Sequence, residues 1–168
     1  MEKEIINKVA QSSLEVFDLE DIYPTEPIHA IDVSQWLEDG FLLKEKEFRK
    51  TLKSFDWSVY KNSYIALFCA TDAILPAWTF ALVTTYLTGV AKKVVSGNKN
   101  DVLINVYQEK LNQLDFTKYD KKPVILKGCS NKPVPKEAYV LAVQKLIPFA
   151  KSIMYGEACS AVPLYKSK

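Results

Sequence analysis

The chain reads as an α/β protein: a single domain over residues 1–168, with a mixed sheet of β-loop-α units and flanking helices. Short apolar runs alternate with helical stripes through most of the sequence, the pattern of strands crossing over through helices. The run Tyr64-Ile65-Ala66-Leu67-Phe68-Cys69 is apolar on both faces, as a central strand must be, and Val124–Cys129 is a second apolar run. With 168 residues the chain is one ordinary domain in length, and needs neither disulfide nor metal merely to fold. Hydrophobic residues at 48% and charged residues at 25% exclude a disordered or fibrous protein. A net charge of +2 gives no reason to expect a nucleic-acid partner. The balance is uneven, because residues 1–40 hold ten acids against two lysines, net −8, leaving +10 on the rest. Two oppositely charged faces meeting within the fold explain that simply.

The elements follow in order. Ile5, Ile6 and Val9 give a short amphipathic opening helix. Leu14–Phe17 is a strand candidate, and the acidic Asp18-Leu19-Glu20-Asp21 leads into a loop marked by Pro24 and Pro27. Ile28–Val33 alternates enough for a strand. Phe48, Leu52 and Phe55 mark one face of a charged helix beginning near Lys44, whose outer face carries Glu45, Lys46, Glu47 and Arg49. After the Tyr64–Cys69 strand, a helix runs from Pro76 to Thr88, with proline in its first turn and Gly89 as its stop. Ser96-Gly97-Asn98 is a turn. Leu103, Val106, Tyr107, Lys110, Leu111 and Leu114 form a helical stripe capped at Asn100 or Asp101. Beyond the Val124–Cys129 strand, a helix from about Pro135 to Ile147 carries Tyr139, Val140, Val143 and Leu146. Ser152–Tyr155 and Val162–Tyr165 are short strands bounded by Gly156 and Pro163. Trp36, Trp57 and Trp78 are most simply core or half-buried residues.

Three cysteines cannot all pair within one chain, and Met1-Glu2-Lys3-Glu4 begins no apolar run of the signal-peptide kind. Both facts fit a reducing cytoplasm. The nineteen uncharged residues Ala73–Ala91 raise the question of a membrane. A helix from Pro76 to Thr88 spans only about 20 Å, against a hydrocarbon layer of about 30 Å, so a buried helix is expected.

One internal similarity organises the chemistry. Tyr64–Cys69 leads through a short loop to Pro76, with Phe80 four residues on; Pro123–Cys129 leads through a short loop to Pro135, with Tyr139 four residues on. Such units point their strands the same way, and ligands collect outside the carboxyl ends. If the two strands are neighbours, Cys69 and Cys129 share one rim. Cys159, directly after Ser152–Tyr155, supplies a third sulphur. Asp72 lies three residues beyond Cys69, a spacing that can put two donors on one turn. Three thiolates with Asp72 or Glu157 complete a tetrahedral metal site, and three alone leave an open position. Soft sulphur favours zinc or iron. The ordinary alternative is that free cysteines are simply buried, as cysteine usually is.

A third possibility is thiol chemistry. Cys129, in Gly128-Cys129-Ser130 on a strand-to-helix turn, has the position of a nucleophile elbow, with the helix N-terminus and Lys127 or Lys132 to favour its thiolate. The weakness is the base, since His29 is the only histidine and, beside Ile28 and Ile31, is more simply a surface or packing residue. Lys118–Lys122 with Tyr119 could touch phosphates, although a solvated loop accounts for it better. No glycine-rich phosphate loop or His-Glu-x-x-His is present.

Longer words of sequence carry a family resemblance: Phe17-Asp18-Leu19-Glu20-Asp21, Lys44-Glu45-Lys46-Glu47-Phe48-Arg49, the run Cys69–Trp78, Lys127-Gly128-Cys129-Ser130, and the run Lys151–Tyr165. Over nearly its whole length the chain resembles the bacterial family catalogued as domain of unknown function 2480. That family's pattern has proline before the last cysteine, where this chain has Ala158. The resemblance implies a small cytosolic protein without an established activity, and a gene setting beside iron–sulphur cluster assembly components. The expected function is a cytosolic metal-binding accessory protein with Cys69, Cys129 and Cys159 as ligands, near Asp72 or Glu157, holding zinc or iron. Its expected partners are iron–sulphur assembly proteins, not nucleic acid or membrane, and a homo-oligomer is compatible with the chain. The alternatives are an enzyme with Cys129 as nucleophile, and a non-catalytic interaction module with inert cysteines.

Overall fold

The computed structural model of the protein describes residues 13–128, 130–157 and 160–168. The expected opening helix at Ile5–Val9 lies outside them. Seven strands and four α-helices are found among the described residues: β1 (Glu15–Asp18), β2 (Ile28–Asp32), α1 (Glu45–Ser54), β3 (Tyr64–Phe68), α2 (Trp78–Leu87), β4 (Lys93–Ser96), α3 (Lys99–Gln113), β5 (Pro123–Lys127), α4 (Lys136–Leu146), β6 (Ser152–Tyr155) and β7 (Val162–Lys166). The α/β class holds, and the expected mixed sheet is one of two. It has the order β1-β5-β6-β7 and is parallel except for the antiparallel β6–β7 pair. The other, β2-β3-β4, is wholly parallel. Contacts group the chain, expected as one domain, into two compact units. The contiguous unit is Pro24–Val106; the discontinuous unit is the described chain up to Tyr23 together with Tyr107–Lys168. No helix is long and apolar enough to cross a membrane among the described residues.

The local chemistry explains most boundaries. In α1, Phe48 and Leu52 lie four apart and are both buried, with acids in the first turn and Lys53 in the last, as the helix dipole favours. Helix α2 begins two residues later than expected. Pro76 precedes it and offers its carbonyl to the Thr79 N–H at 3.0 Å, while Gly89, at φ +84°, ends it. The cap of α3 is Asn98, upstream of the expected Asn100 or Asp101. Its Oδ1 accepts from the N–H groups of Asn100 (2.7 Å) and Asp101 (3.2 Å), and Asp101 Oδ2 accepts in return from the Asn98 N–H at 2.7 Å. This is a reciprocal capping box. Strand β4 was not expected. Its four residues, Lys93-Val94-Val95-Ser96, are too few to show a period.

The half-repeat in the sequence is the visible part of a longer one. The contiguous unit runs β2, a 3-10 turn (Val33–Trp36), α1, a second turn (Trp57–Tyr60), β3, α2 and β4. The discontinuous unit runs β1, a turn (Leu19–Ile22), then the second half of α3, a turn (Thr117–Tyr119), β5, α4 and β6. From α1 onward, corresponding residues differ by 59 in number, as the strand registers Tyr64↔Lys93 and Pro123↔Ser152 show. The same backbone bonds recur: Asn62 N–H to Val90 O and Lys121 N–H to Phe149 O, then Gly97 N–H to Leu67 O and Gly156 N–H to Leu126 O. Asn62 and Lys121 are both left-handed, at φ +57° and +55°. The cores correspond position by position, with Phe48, Leu52, Leu67 and Leu87 in one matched by Tyr107, Leu111, Leu126 and Leu146 in the other. The extra phenol of Tyr107 is satisfied, donating to the Leu19 carbonyl at 2.8 Å, and burial pushes its pKa up. One structural repeat is therefore inserted in the other.

Two expectations change as a result. The half-repeat strands β3 and β5 are not neighbours, since they belong to different sheets. In addition, the strand register matches Cys69 with Gly128, one position short of Cys129.

Corresponding core positions should respond alike. Leu67→Ala and Leu126→Ala each remove a side chain at most 1% exposed, and each should cost about 2–5 kcal/mol in urea unfolding. A loss below about 1 kcal/mol at either would contradict a sealed core there.

Candidate functional site

The residues that carry chemistry cluster at the carboxyl ends of the strands. In the contiguous unit this rim holds Cys69, directly after β3. Its thiol is half-buried against the core formed by Ile65, Leu67 and their neighbours. Cys69 Sγ lies 3.4 Å from Thr71 Oγ1, and Thr71 Oγ1 donates its one proton to the Gly40 carbonyl at 2.6 Å. With that proton committed, Cys69 Sγ is placed to donate to Thr71 Oγ1, the contact of a packed and satisfied side chain. Asp72 is exposed in the following loop. At the end of β2, Asp32 closes the rim. Its Oδ1 accepts from the N–H groups of Ser34 (2.9 Å) and Ala70 (3.0 Å), and its Oδ2 accepts from Ser34 Oγ (2.6 Å). Burial raises the Asp32 pKa, but the hydrogen bonds from Ser34 and Ala70 outweigh it, and the net shift is down.

In the discontinuous unit the rim carries charge at the ends of β1 and β5 and just beyond β6. Lys127 ends β5, with its ammonium 3.4 Å from Asp18 Oδ2 at the end of β1 and 3.8 Å from Glu157 Oε1 beyond β6. Glu157 first, then Asp18, holds the Lys127 pKa above its ordinary value. The loop after β5 is tied down by Glu20. One carboxylate oxygen accepts from the backbone N–H groups of Ser130 and of Asn131 (2.8 Å), and Lys132 Nζ donates to the Glu20 carbonyl at 3.1 Å. Two successive amides facing one carboxylate form an anion-binding concavity that the protein fills with its own side chain. Gly128 makes the passage possible, because a Cβ there would stand 2.8 Å from the Tyr139 hydroxyl oxygen and 3.2 Å from Leu19 Cβ.

Cys129 and Cys159 lie outside the described residues. Of the proposed ligands, the structure therefore places Cys69, Asp72 and Glu157, and Cys69 and Asp72 belong to a different unit from Glu157. Among the described residues no group of three His, Cys, Asp or Glu side chains is arranged to hold a metal ion. His29 sits on β2 with its ring edge-on to Tyr60, centroids 5.5 Å apart, the packing role that its apolar neighbours suggest. Lys132, considered as a thiolate partner, is engaged with Glu20 and lies 5.6 Å from the centre of the Tyr23 ring. Glu20 and Asp18 were legible only as members of an acidic run, and their separate tasks were not.

Comparison with known proteins concerns the chain as a whole. A family model described as Protein of unknown function (DUF2480) matches residues 3–167, in agreement with the resemblance read from the sequence. No curated protein and no solved structure matches the chain.

The Glu20 contact is testable by pH. The amides of Asn131 and then Ser130 hold the Glu20 carboxyl below its ordinary value, against an opposing effect of burial. The contact's contribution is therefore complete above about pH 4.3, and is lost as pH falls through the lower folded-state value. Amide chemical shifts of Ser130 and Asn131 should titrate with a midpoint below about 4.3. They should lose that titration in Glu20→Gln.

Proposed function

The chain belongs to the DUF2480 family of proteins of unknown function, and from that premise we propose that it is a cytosolic metal-binding accessory protein. Its ion is held by the thiolates of Cys129 and Cys159, with the Glu157 carboxylate beside them. The observation that carries this reading is the pairing of β5 with β6. The two strands are parallel neighbours in register from Pro123↔Ser152 to Leu126↔Tyr155, so they lead out at one rim. Cys129 follows β5 by two residues and Cys159 follows β6 by four. Thiolate ligands select zinc or iron over magnesium or calcium. Lys127 offsets part of the negative charge that two thiolates and Glu157 would gather. Cys69, whose thiol is placed to donate to Thr71, is a packed residue in this reading and not a ligand. The family resemblance adds iron–sulphur cluster assembly components as partners.

Metal analysis of protein purified under reducing conditions should find about one equivalent of zinc or iron. Cys129→Ser and Cys159→Ser should each lose it and melt well below the parent, by several kcal/mol of lost metal binding, and chelator should bring the parent down to them. Cys69→Ser should keep the metal. Metal well below one equivalent, or a low melting temperature in Cys69→Ser alone, would overturn the proposal.

The Lys127 ammonium also favours a second reading, a thiol-dependent enzyme with Cys129 as nucleophile, since a neighbouring cation stabilises a thiolate. Rapid alkylation of Cys129 in metal-free native protein would select it.

A further inference from the structure

The amino-terminal end of the four-stranded sheet carries a cleft of about 530 Å³, at the opposite end of the strands from the thiol rim and of a size suited to a small organic ligand. Its apolar wall is the corner after α4, Ile147-Pro148-Phe149, with Tyr165 of β7 lining it as well. Lys121 and Lys151 supply cations, against one acid, Asp120, among the described residues. Among the described residues neither lysine has an ion-pair partner. Lys121 belongs to the Lys118–Lys122 stretch that the sequence singled out and the rim does not use.

The inserted repeat provides an internal control. At the corresponding positions it has Asn62 for Lys121, Thr88-Gly89-Val90 for Ile147-Pro148-Phe149, and Lys92 for Lys151. Lys92 is already paired with Glu26 and lies 5.9 Å from the centre of the Tyr64 ring. Among the described residues that sheet has three strands and no counterpart of β7, hence no residue in the place of Tyr165. The repeats agree in their cores and differ at this corner, where one has gained a free positive charge, a larger apolar surface and an extra wall.

We propose that this cleft binds a small amphiphilic organic anion, its aromatic or branched apolar body against Ile147, Phe149 and Tyr165 and its acidic head between Lys121 and Lys151. Neither lysine takes part in the thiol rim, so the cleft stands or falls apart from the function proposed above.

The test uses the full chain, 2-naphthoate as probe and amide chemical-shift mapping. Naphthoate should shift Phe149, Ala150, Lys151 and Ser167 selectively and bind below millimolar concentration. The neutral 2-naphthol should bind about tenfold more weakly, as should naphthoate to the double variant K121E/K151E. Both lysines are exposed, so that variant should keep its fold, which the unchanged core resonances would verify. Absence of saturable binding, shifts mapped elsewhere, or equal affinity for the neutral probe or the variant would overturn the proposal.

Discussion

Each sheet is organised by one strand that water cannot reach from either side. Tyr64 to Leu67 of β3 are all buried, as are Val124 to Leu126 of β5. A strand sealed on both faces needs a neighbour along each edge for its backbone groups, and here every such neighbour is parallel. Parallel neighbours cannot be joined by a tight turn, so the chain must cross over. The crossovers α2 and α4 are 10 and 11 residues long, or about 15 Å, which matches the roughly 16 Å of a five-residue strand. Their buried residues, Val83 and Leu87 in one and Ala138, Ala142 and Leu146 in the other, then close the core. The rims follow from this, because all the central strands' carboxyl ends lead into loops that must be tied down.

Two different carboxylates do that work. In the inserted repeat Asp32, on the strand itself, takes the Ala70 amide; in the host repeat Glu20, two residues past β1, takes those of Ser130 and Asn131. The host's strand-end acid, Asp18, is thereby left to Lys127. Loop amides at such a position ordinarily attract an external anion. Here the chain answers them internally, and Lys127 is likewise answered by Asp18 and Glu157.

What the sequence disclosed depended on whether a signal was local. The period of Phe48 and Leu52, the unbroken apolar runs of β3 and β5, and the stop at Gly89 are local, and those elements lie within a residue or two of their expected places. Strand β4 had too few residues to declare itself, and Asn98 was hidden as a cap by sitting in an obvious turn. The two sheets were not legible because β1 finds its partner β5 more than a hundred residues later. The repeat showed only in part, for another reason. Its core leucines recur far apart in the sequence, but other buried positions keep only their burial, with Thr79 and Val83 answered by Ala138 and Ala142. Aligning it on the cysteines also slips the register by one. At the site, Cys129 and Cys159 were visible as residue types, whereas the duties of Asp18, Glu20 and Lys127 arise only from pairing across strands.

The nesting of one repeat within the other imposes an order on biosynthesis. Strand β1 is translated before the insert, yet the strand it pairs with is completed only after the whole inserted repeat has emerged. At about 5–20 residues per second, that delay is roughly 5–20 s, far longer than helices and hairpins need to form. The inserted repeat has all its strands in hand during that interval, while the host has one. The insert therefore folds with its strands complete, while β1 must close a loop of more than a hundred residues, a cost that grows only slowly with loop length. The host makes the edge strand β1 long before the rest of the sheet that it borders.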